Sequence, residues 1–275
     1  RCESWKARRI FRPRLAVMTG SAAFESPGSA AIASALAPAD FRLSGVKIIV
    51  GSASGELHPG PEELRGKVAA IHAAGLQAVI HAIEEPEIEA ACGAIEYALK
   101  RRPVPDPRHR IEHCSVCPPP LLRRMAETGV FVVTQLGFLY AGGDRYLRTV
   151  PEAQRAHLYA IGSMLRCGLR VGFSSDFPIS DANPMAGIQA AVTRGTEAGD
   201  AVLPEEKVSV MDALRMYTLD AAAAGFEDTI KGSIVPGKLA DLVLLREDPR
   251  SVEPHRIRDI RADMTVLGGE IVHEA

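Results

Sequence analysis

Four residues of this 275-residue chain carry side chains that could share one piece of chemistry: Lys47, His81, His113 and Asp176. Lys47 lies within VKIIV, His81 near the end of AVIHA, His113 at the end of RIEH, and Asp176 directly after VGFSS. Imidazole is the commonest protein metal ligand, and carboxylate oxygen also suits Zn²⁺. Taken singly, each has a plainer reading. A histidine at a strand end is ordinarily a satisfied polar residue. An aspartate after a strand is ordinarily a helix cap or turn residue. A lysine in a strand marks an edge or snorkels to water. Two histidines and an aspartate at the same end of separate parallel strands converge in space, however, and that combination favours a metal site.

The elements that must position them follow from hydrophobic patterning. Short apolar runs read as strands at Leu15–Met18, Val46–Val50, Ala78–Ala82, Arg110–Cys114, Val130–Gln135 and Leu169–Ser174. Helical periods are expected over Glu62–Ala74, Pro86–Lys100, Pro119–Thr128 and Glu152–Cys167, with Gly75, Gly129 and Gly168 placed to cap three of them. Strand and helix alternating at this spacing predict parallel β/α units, six strands in all. In a β/α barrel the active site forms at the C-terminal ends of the strands, where the four residues lie. Residues 21–44, rich in Ala, Ser and Pro, read as a loop with one short helix. Beyond Asp176 two helical segments are expected, the clearer at Met211–Ala224. Short β pieces follow at Gly232–Ile234, Leu242–Leu245, Met264–Leu267 and Glu270–His273. The expected division is a barrel over 1–228 and C-terminal strands over 229–275.

Composition bounds the function. Apolar residues make up 47% and charged residues 24% of the chain, a globular profile with a full core. Lys plus Arg is 32 against 34 Asp plus Glu, and aromatics are 5%, which argues against nucleic acid as a partner. Six basic residues among the first fourteen read as an exposed helix ended by Pro13. No run approaches the roughly 20 apolar residues that span a bilayer, and no signal-peptide pattern opens the chain. Five cysteines, sparse and odd in number, fit a reducing, cytoplasmic compartment.

Other candidates carry less. Cys114 and Cys117 form a CxxC, but no second ligand pair stands at zinc-site spacing. His58 falls in a loop after the Lys47 strand, and the expected role is a surface residue. His72 is expected to pack within its helix. His109 shares the strand parity of His113 at the opposite end. His157, His255 and His273 have no motif around them. Gln135 ends its strand and is expected to point into the same mouth.

These residues, in this order, resemble the amidohydrolase superfamily, in its amidohydrolase-3 or YtcJ-like branch, which includes N-substituted formamide deformylases. The resemblance covers roughly residues 42–275. It rests on VKIIVGS, GLQAVIHAI, RHRIEHC, GLRVGFSSDFPISDANPMAGIQAAVTR, ALRMYTLDAAAA and KGSIVPGKLADLVLL. It implies a (β/α)₈ TIM barrel of metal-dependent hydrolase type, with about six of eight strands present, beside a small partial β-sandwich. It implies a divalent metal, Zn²⁺ foremost, one or two in the full-length form, with Lys47, His81, His113 and Asp176 as ligands. Lys47 would be carboxylated, since an ammonium only donates. Asp176 would take a proton from metal-activated water and pass it to the leaving amine of a small amide-like substrate.

The departures shape the expectation. No His-x-His occurs in the chain, Gly51-Ser52 stands where the family usually has Asp-Gly-Ser, and Glu84-Glu85 where it usually has Gly-Asp. Position 1 is Arg. The expectation is an N-terminally shortened barrel. It would be a C–N hydrolase in its full form, or a single-metal or catalytically incompetent fragment that forms a homo-oligomer to cover its open sheet edges.

Overall fold

A computed structural model describes residue 8 and residues 12–26, 41–53 and 55–275. Its centre is a sheet of six parallel strands. They are β1 (Leu15–Gly20), β2 (Phe41–Ile49), β5 (Ala78–Ala82), β6 (Arg110–His113), β7 (Phe131–Thr134) and β8 (Arg170–Phe173), in that spatial order. A short hairpin, β3 (Gly51–Ala53) and β4 (Glu56–His58), follows β2. The connections carry α1 (Ser21–Glu25), α2 (Pro61–Ala73), α3 (Glu85–Arg101), α4 (Pro119–Thr128), α5 (Leu136–Thr149), α6 (Glu152–Arg155) and α7 (Ile161–Arg166). After β8 come α8 (Pro184–Thr193), α9 (Val210–Tyr217) and α10 (Leu219–Ala224). A separate antiparallel sheet closes the chain, ordered β11 (Glu270–Glu274), β10 (Ala262–Leu267), β9 (Leu242–Leu245). The N-terminal basic segment lies almost entirely outside the described residues. None of the described helices is long and apolar enough to cross a membrane.

The sheet has two unlike faces, set by the two-residue period of a strand. On one, Val46, Ile48, Ala78, Ile80, Ile111, Val132 and Val171 pack with Leu64, Val68, Ile71, Ile88, Ile95, Leu122 and Met125 of α2, α3 and α4 in one buried cluster. The other face carries register-matched rows: Lys47, Val79, Arg110, Phe131 and Arg170, then Ile49, His81, Glu112, Val133 and Gly172. Phe131 and Val133 there form their own small cluster with Ala224 of α10. We call this the inner face.

At the N-terminal ends of the strands, the last carbonyls of α10 and the residue after it find partners from across the sheet. Arg42 donates to Gly225 O, Gln77 to Ala224 O at 2.9 Å, Arg108 to Ala223 O at 2.9 Å and Arg110 to Ala224 O at 3.0 Å. A helix end leaves its last carbonyls without intrahelical donors, and cationic donors suit its negative pole.

Several expectations are corrected. Glu152–Cys167 is two short helices separated by a turn, with Tyr159 in a left-handed conformation at φ 49°. Met211–Ala224 breaks at Thr218, where ψ is −87°. Gly232–Ile234 is not a strand. Helix α5 is an element that the patterning does not announce; it contains Gly142 and Gly143. A Cβ at 143 would sit 2.4 Å from Thr196 Cγ2, so that glycine serves close packing. The anticipated left-handed glycines hold: Gly75, Gly129 and Gly168 have φ of 73°, 73° and 79°.

His72 and His109 meet beneath the sheet, buried at 4% and 1% exposure. Ala78 N–H donates to His109 Nδ1 at 3.0 Å, so the His109 proton sits on Nε2 and goes to His72 Nδ1 at 2.8 Å. His72 Nε2 then donates to Arg102 O at 2.7 Å. Every ring nitrogen is satisfied only when both rings are neutral. Burial, with the His72 ring, pushes His109 from 6.5 down to about 4. The folded protein therefore resists a proton that the unfolded chain accepts. The stabilisation is full above pH 6.5 and is lost as pH falls toward 4, by roughly 3 kcal/mol at its limit. His109→Asn retains an acceptor for Ala78 and does not titrate. Its unfolding free energy, from urea titrations between pH 7 and 4.5, is expected to fall less steeply than that of the parent; equal slopes would remove this pair as the cause.

Candidate functional site

Because the six strands are parallel, their C-terminal ends share one rim. Lys47 and His81 reach it from the inner face by ordinary alternation: Ile49 pairs with His81, and Lys47 lies two residues before Ile49. Both are half-buried. His113 does not follow from alternation. Its register partner is Ala82, whose side chain packs in the helix-facing cluster, and Glu112 already occupies the inner row. Yet the His81 and His113 rings meet edge to face, with centroids 4.4 Å apart. The backbone supplies the reason. His113 has φ 74° and Cys114 φ 49°, two successive left-handed residues that turn the histidine across the rim. Such conformations cost of order 1–3 kcal/mol each and persist only where surroundings hold them.

The holding is visible. Cys114 N donates to Ala82 O, and Ser115 N and Val116 N both donate to Ile83 O, each at 3.0 Å. On the other side Tyr159 N donates to Ser115 O at 2.7 Å, and Cys117 N to His157 O at 3.3 Å. The carbonyls of Leu158 and Tyr159 are in turn gripped by the guanidinium of Arg194, which is fully buried.

The loop after β5 is equally fixed. Glu84 caps α3 in a reciprocal capping box with Glu87, whose carboxylate also accepts from Ile83 N at 2.7 Å. The unusual Glu84-Glu85 pair thus has a local job, and the same residue that caps the helix shapes the rim. Gly51 and Ser52 enter the β3–β4 hairpin, where His58 is exposed at the end of β4.

Gln135 is 1% exposed, so it is not open to a ligand at the mouth. Its Oε1 lies 2.8 Å from His113 Nδ1, and its Nε2 donates to Ser174 Oγ at 2.9 Å. Phe138 stacks against His113 at 6.4 Å. Asp176 is exposed, left-handed at φ 57°, and its carbonyl accepts from Ile179 N at 2.9 Å in a tight turn.

The electrostatics are those of a partly desolvated cluster. Burial lowers Lys47, opposed by the Glu112 carboxylate and, more weakly, by Asp176, while Arg110 pushes it further down. Burial lowers His81 as well, helped by His113 and Lys47 and opposed by Glu87 and Asp176. Both shifts favour the neutral bases, the forms that can donate a lone pair. Beneath them Arg110 and Glu112 form an ion pair at 2.6 Å. Two adjacent imidazoles in neutral form are a donor pair that fits a divalent cation. Among the described residues no three His, Cys, Asp or Glu side chains are gathered as a metal cage. The fold brings His81 and His113 together, with Lys47 and Asp176 within electrostatic reach.

The chain matches the amidohydrolase family over residues 23–273. The chain belongs to that family. An N-substituted formamide deformylase of Arthrobacter pascens is 31% identical over 201 residues, 73% of this chain and 37% of that protein. Protein LONG AFTER FAR-RED 3 of Arabidopsis thaliana is 33% identical over 187 residues, 67% of this chain and 32% of that protein. This amidohydrolase chain therefore spans about a third of the length of these curated relatives. A metal-dependent hydrolase structure from Pyrococcus horikoshii superposes with a TM-score of 0.79 at 22% identity, covering 92% of this chain and 55% of that one. That likeness supports the barrel-type α/β fold of this amidohydrolase.

The CxxC sits beside the site without the properties of a redox centre. Cys92, Cys114 and Cys117 are buried, and Cys167 is half-exposed. A hydrogen bond with Cys117, with burial, holds the Cys114 thiol well above its ordinary range, so its reactive thiolate is scarce. Among the described cysteines, mass mapping after thiol alkylation of the native protein should find Cys167 modified first, and Cys92, Cys114 and Cys117 only on unfolding. Rapid native labelling of Cys114 or Cys117 would overturn this account.

Proposed function

We propose that this amidohydrolase chain contributes the greater part of the active site of a metal-dependent hydrolase that cleaves an amide- or formamide-like C–N bond in a small molecule. The observation that carries the reading is the contact of His81 with His113 at 4.4 Å, made by a backbone that departs from strand alternation to achieve it. His81 and His113 would hold a divalent metal, Zn²⁺ foremost, with Lys47 joining them when its neutral amine has taken up CO₂ and released a proton to become an anionic ligand. Such a metal, when bound, polarises a carbonyl and supplies a nucleophilic water at neutral pH.

The residues of the chain would do the rest. Asp176, exposed on the rim with its charge felt at both Lys47 and His81, would take the proton from the attacking water and deliver it to the departing amine. As a ligand it would be a fourth donor beside His81, His113 and Lys47, which its exposed turn permits. Lys47, half-buried on the inner face and acted on electrostatically by Glu112 and Arg110, would be partly screened from bulk water. A second reading is a one-metal centre. It is favoured by the absence, among the described residues, of a third His, Cys, Asp or Glu gathered with His81 and His113, and by the lack of a His-x-His pair in the given sequence.

Elemental analysis of the purified protein after Zn²⁺ loading tests the metal site that both readings require. One metal per chain, lost in both His81→Ala and His113→Ala, is the expected result; no metal in the parent protein would sink the proposal. Asp176→Asn is expected to keep its metal and to lose turnover of amide or formamide substrates by more than about 100-fold. Undiminished turnover in that variant would refute the proton-transfer role.

A further inference from the structure

We propose that Gln135 is a positioning residue: it fixes His113 with its proton on Nδ1 and its lone pair on Nε2, and thereby sets the divalent-cation affinity of the centre. The second half rests on the metal-site reading above; the first stands on geometry alone.

Gln135 occupies the N-cap position of α5, yet its side chain makes no capping bond to that helix. It is turned instead into the rim, where three contacts define its orientation. Its Nε2 lies 2.9 Å from Ser174 Oγ and 3.5 Å from Val133 O. A carbonyl oxygen only accepts, so the amide NH₂ faces Val133 and Ser174, and the amide oxygen faces His113. A carbonyl-type oxygen 2.8 Å from His113 Nδ1 requires a proton on that nitrogen. In a neutral imidazole the lone pair is then on Nε2. The ring is also flanked by other rings, with Phe138 stacked at 6.4 Å and His81 edge to face at 4.4 Å.

The position also explains why a glutamine serves here. Gln135 continues the inner row of β7, two residues beyond Val133, and Ser174 continues that of β8, two residues beyond Gly172. Its amide therefore reaches sideways to both neighbouring strands. One side chain ties the end of β6 to the end of β8, two residues before Asp176. A hydrocarbon of the same length could fill the space but could not dictate a tautomer. Orienting partners of metal-bound histidines change metal affinity by roughly 10- to 100-fold when removed.

Gln135→Leu and Gln135→Glu separate orientation from packing, because Glu retains an acceptor for Nδ1–H and Leu does not. Nitrogen-15 NMR of the metal-free protein reads the His113 tautomer directly. Parent protein and Gln135→Glu are expected to show protonated Nδ1 and bare Nε2, and Gln135→Leu a mixture. A protonated Nε2 in the parent, or an unchanged tautomer in Gln135→Leu, overturns the positioning role. Titration with Co²⁺, followed by its visible absorption, reads the consequence. Affinity should fall roughly 10- to 100-fold in Gln135→Leu and hold in Gln135→Glu. Equal weakening in both variants would assign the effect to packing and overturn the inference. A parent protein with the expected tautomer that binds no Co²⁺ would instead bring down the metal-site reading and leave the positioning role standing.

Discussion

The left-handed pair His113–Cys114 is the constraint on which the site depends. A strand presents alternate residues to alternate faces, and β6 gives its inner positions to Arg110 and Glu112. Without the turn at His113 its ring would join Ile111 on the helix side and never meet His81. The energy to hold two such residues comes from a ring of backbone hydrogen bonds. Ala82 and Ile83 grip the loop from β5, while the turn at 157–159 grips it from the far side. Arg194 secures that turn through two of its carbonyls, the two Nη donating to Tyr159 O and Leu158 O, while Nε donates to Val202 O. Burial accordingly lowers its guanidinium to about 10. A buried charge hydrogen-bonded to carbonyl oxygens, with the Glu206 and Glu205 carboxylates acting on it without a direct bond, is expensive; here it links the α8 end to the backbone behind the candidate ligand.

The two ends of the sheet divide the labour. At the N-terminal ends, Arg42, Gln77, Arg108 and Arg110 bind the terminal carbonyls of α10 and its following residue, and the His72–His109 pair fills a site that has no room for charge. The contacts to α10 and its following residue join segments more than a hundred residues apart, and both sets concern stability. At the C-terminal ends the side chains are half-exposed, strained or both, and they concern chemistry. Arg110 belongs to both regions. Its guanidinium reaches down to Ala224 O and across to Glu112, whose carboxylate opposes the desolvation of Lys47. Any displacement of α10 would therefore be felt electrostatically at Lys47.

Most of the framework was legible in the chain because it rests on local rules. Apolar runs bounded by glycine marked the six parallel strands, and left-handed caps at Gly75, Gly129 and Gly168 ended helices where anticipated. What was illegible depended on contacts distant in sequence. Helix α5 was not announced by the patterning, and the close approach of Thr196 to Gly143 is a tertiary fact. The break at Thr218 has no breaker residue to announce it. His72 and His109, each unremarkable alone, are 37 residues apart and become meaningful only as a pair. At the site, the positions of Lys47, His81 and Asp176 at strand ends could be read directly. His113 was singled out for its place at a strand end, but its inward direction contradicts strand parity, and strand patterning does not anticipate a left-handed residue there even though histidine adopts that conformation more readily than most. Gln135 was foreseen as a residue of the mouth; only its burial and its partners show that it faces the histidine.

The departures from the family pattern bear on how this rim is built. Glu84 stands at the N-cap of α3, and the Glu87 carboxylate accepts from the backbone N–H of both Glu84 and Ile83, at 3.3 and 2.7 Å. Ile83 O is the acceptor that pins Ser115 and Val116. The Glu84-Glu85 segment therefore supports the strained His113 segment. A capping box contributes only about a kilocalorie per mole, but it acts at the hinge between the two imidazole-bearing strands, where the left-handed backbone has to be opposed. The geometry of the histidine pair can thus survive changes in neighbouring motif residues, because it is enforced by backbone hydrogen bonds, whose donors and acceptors are largely independent of side-chain identity.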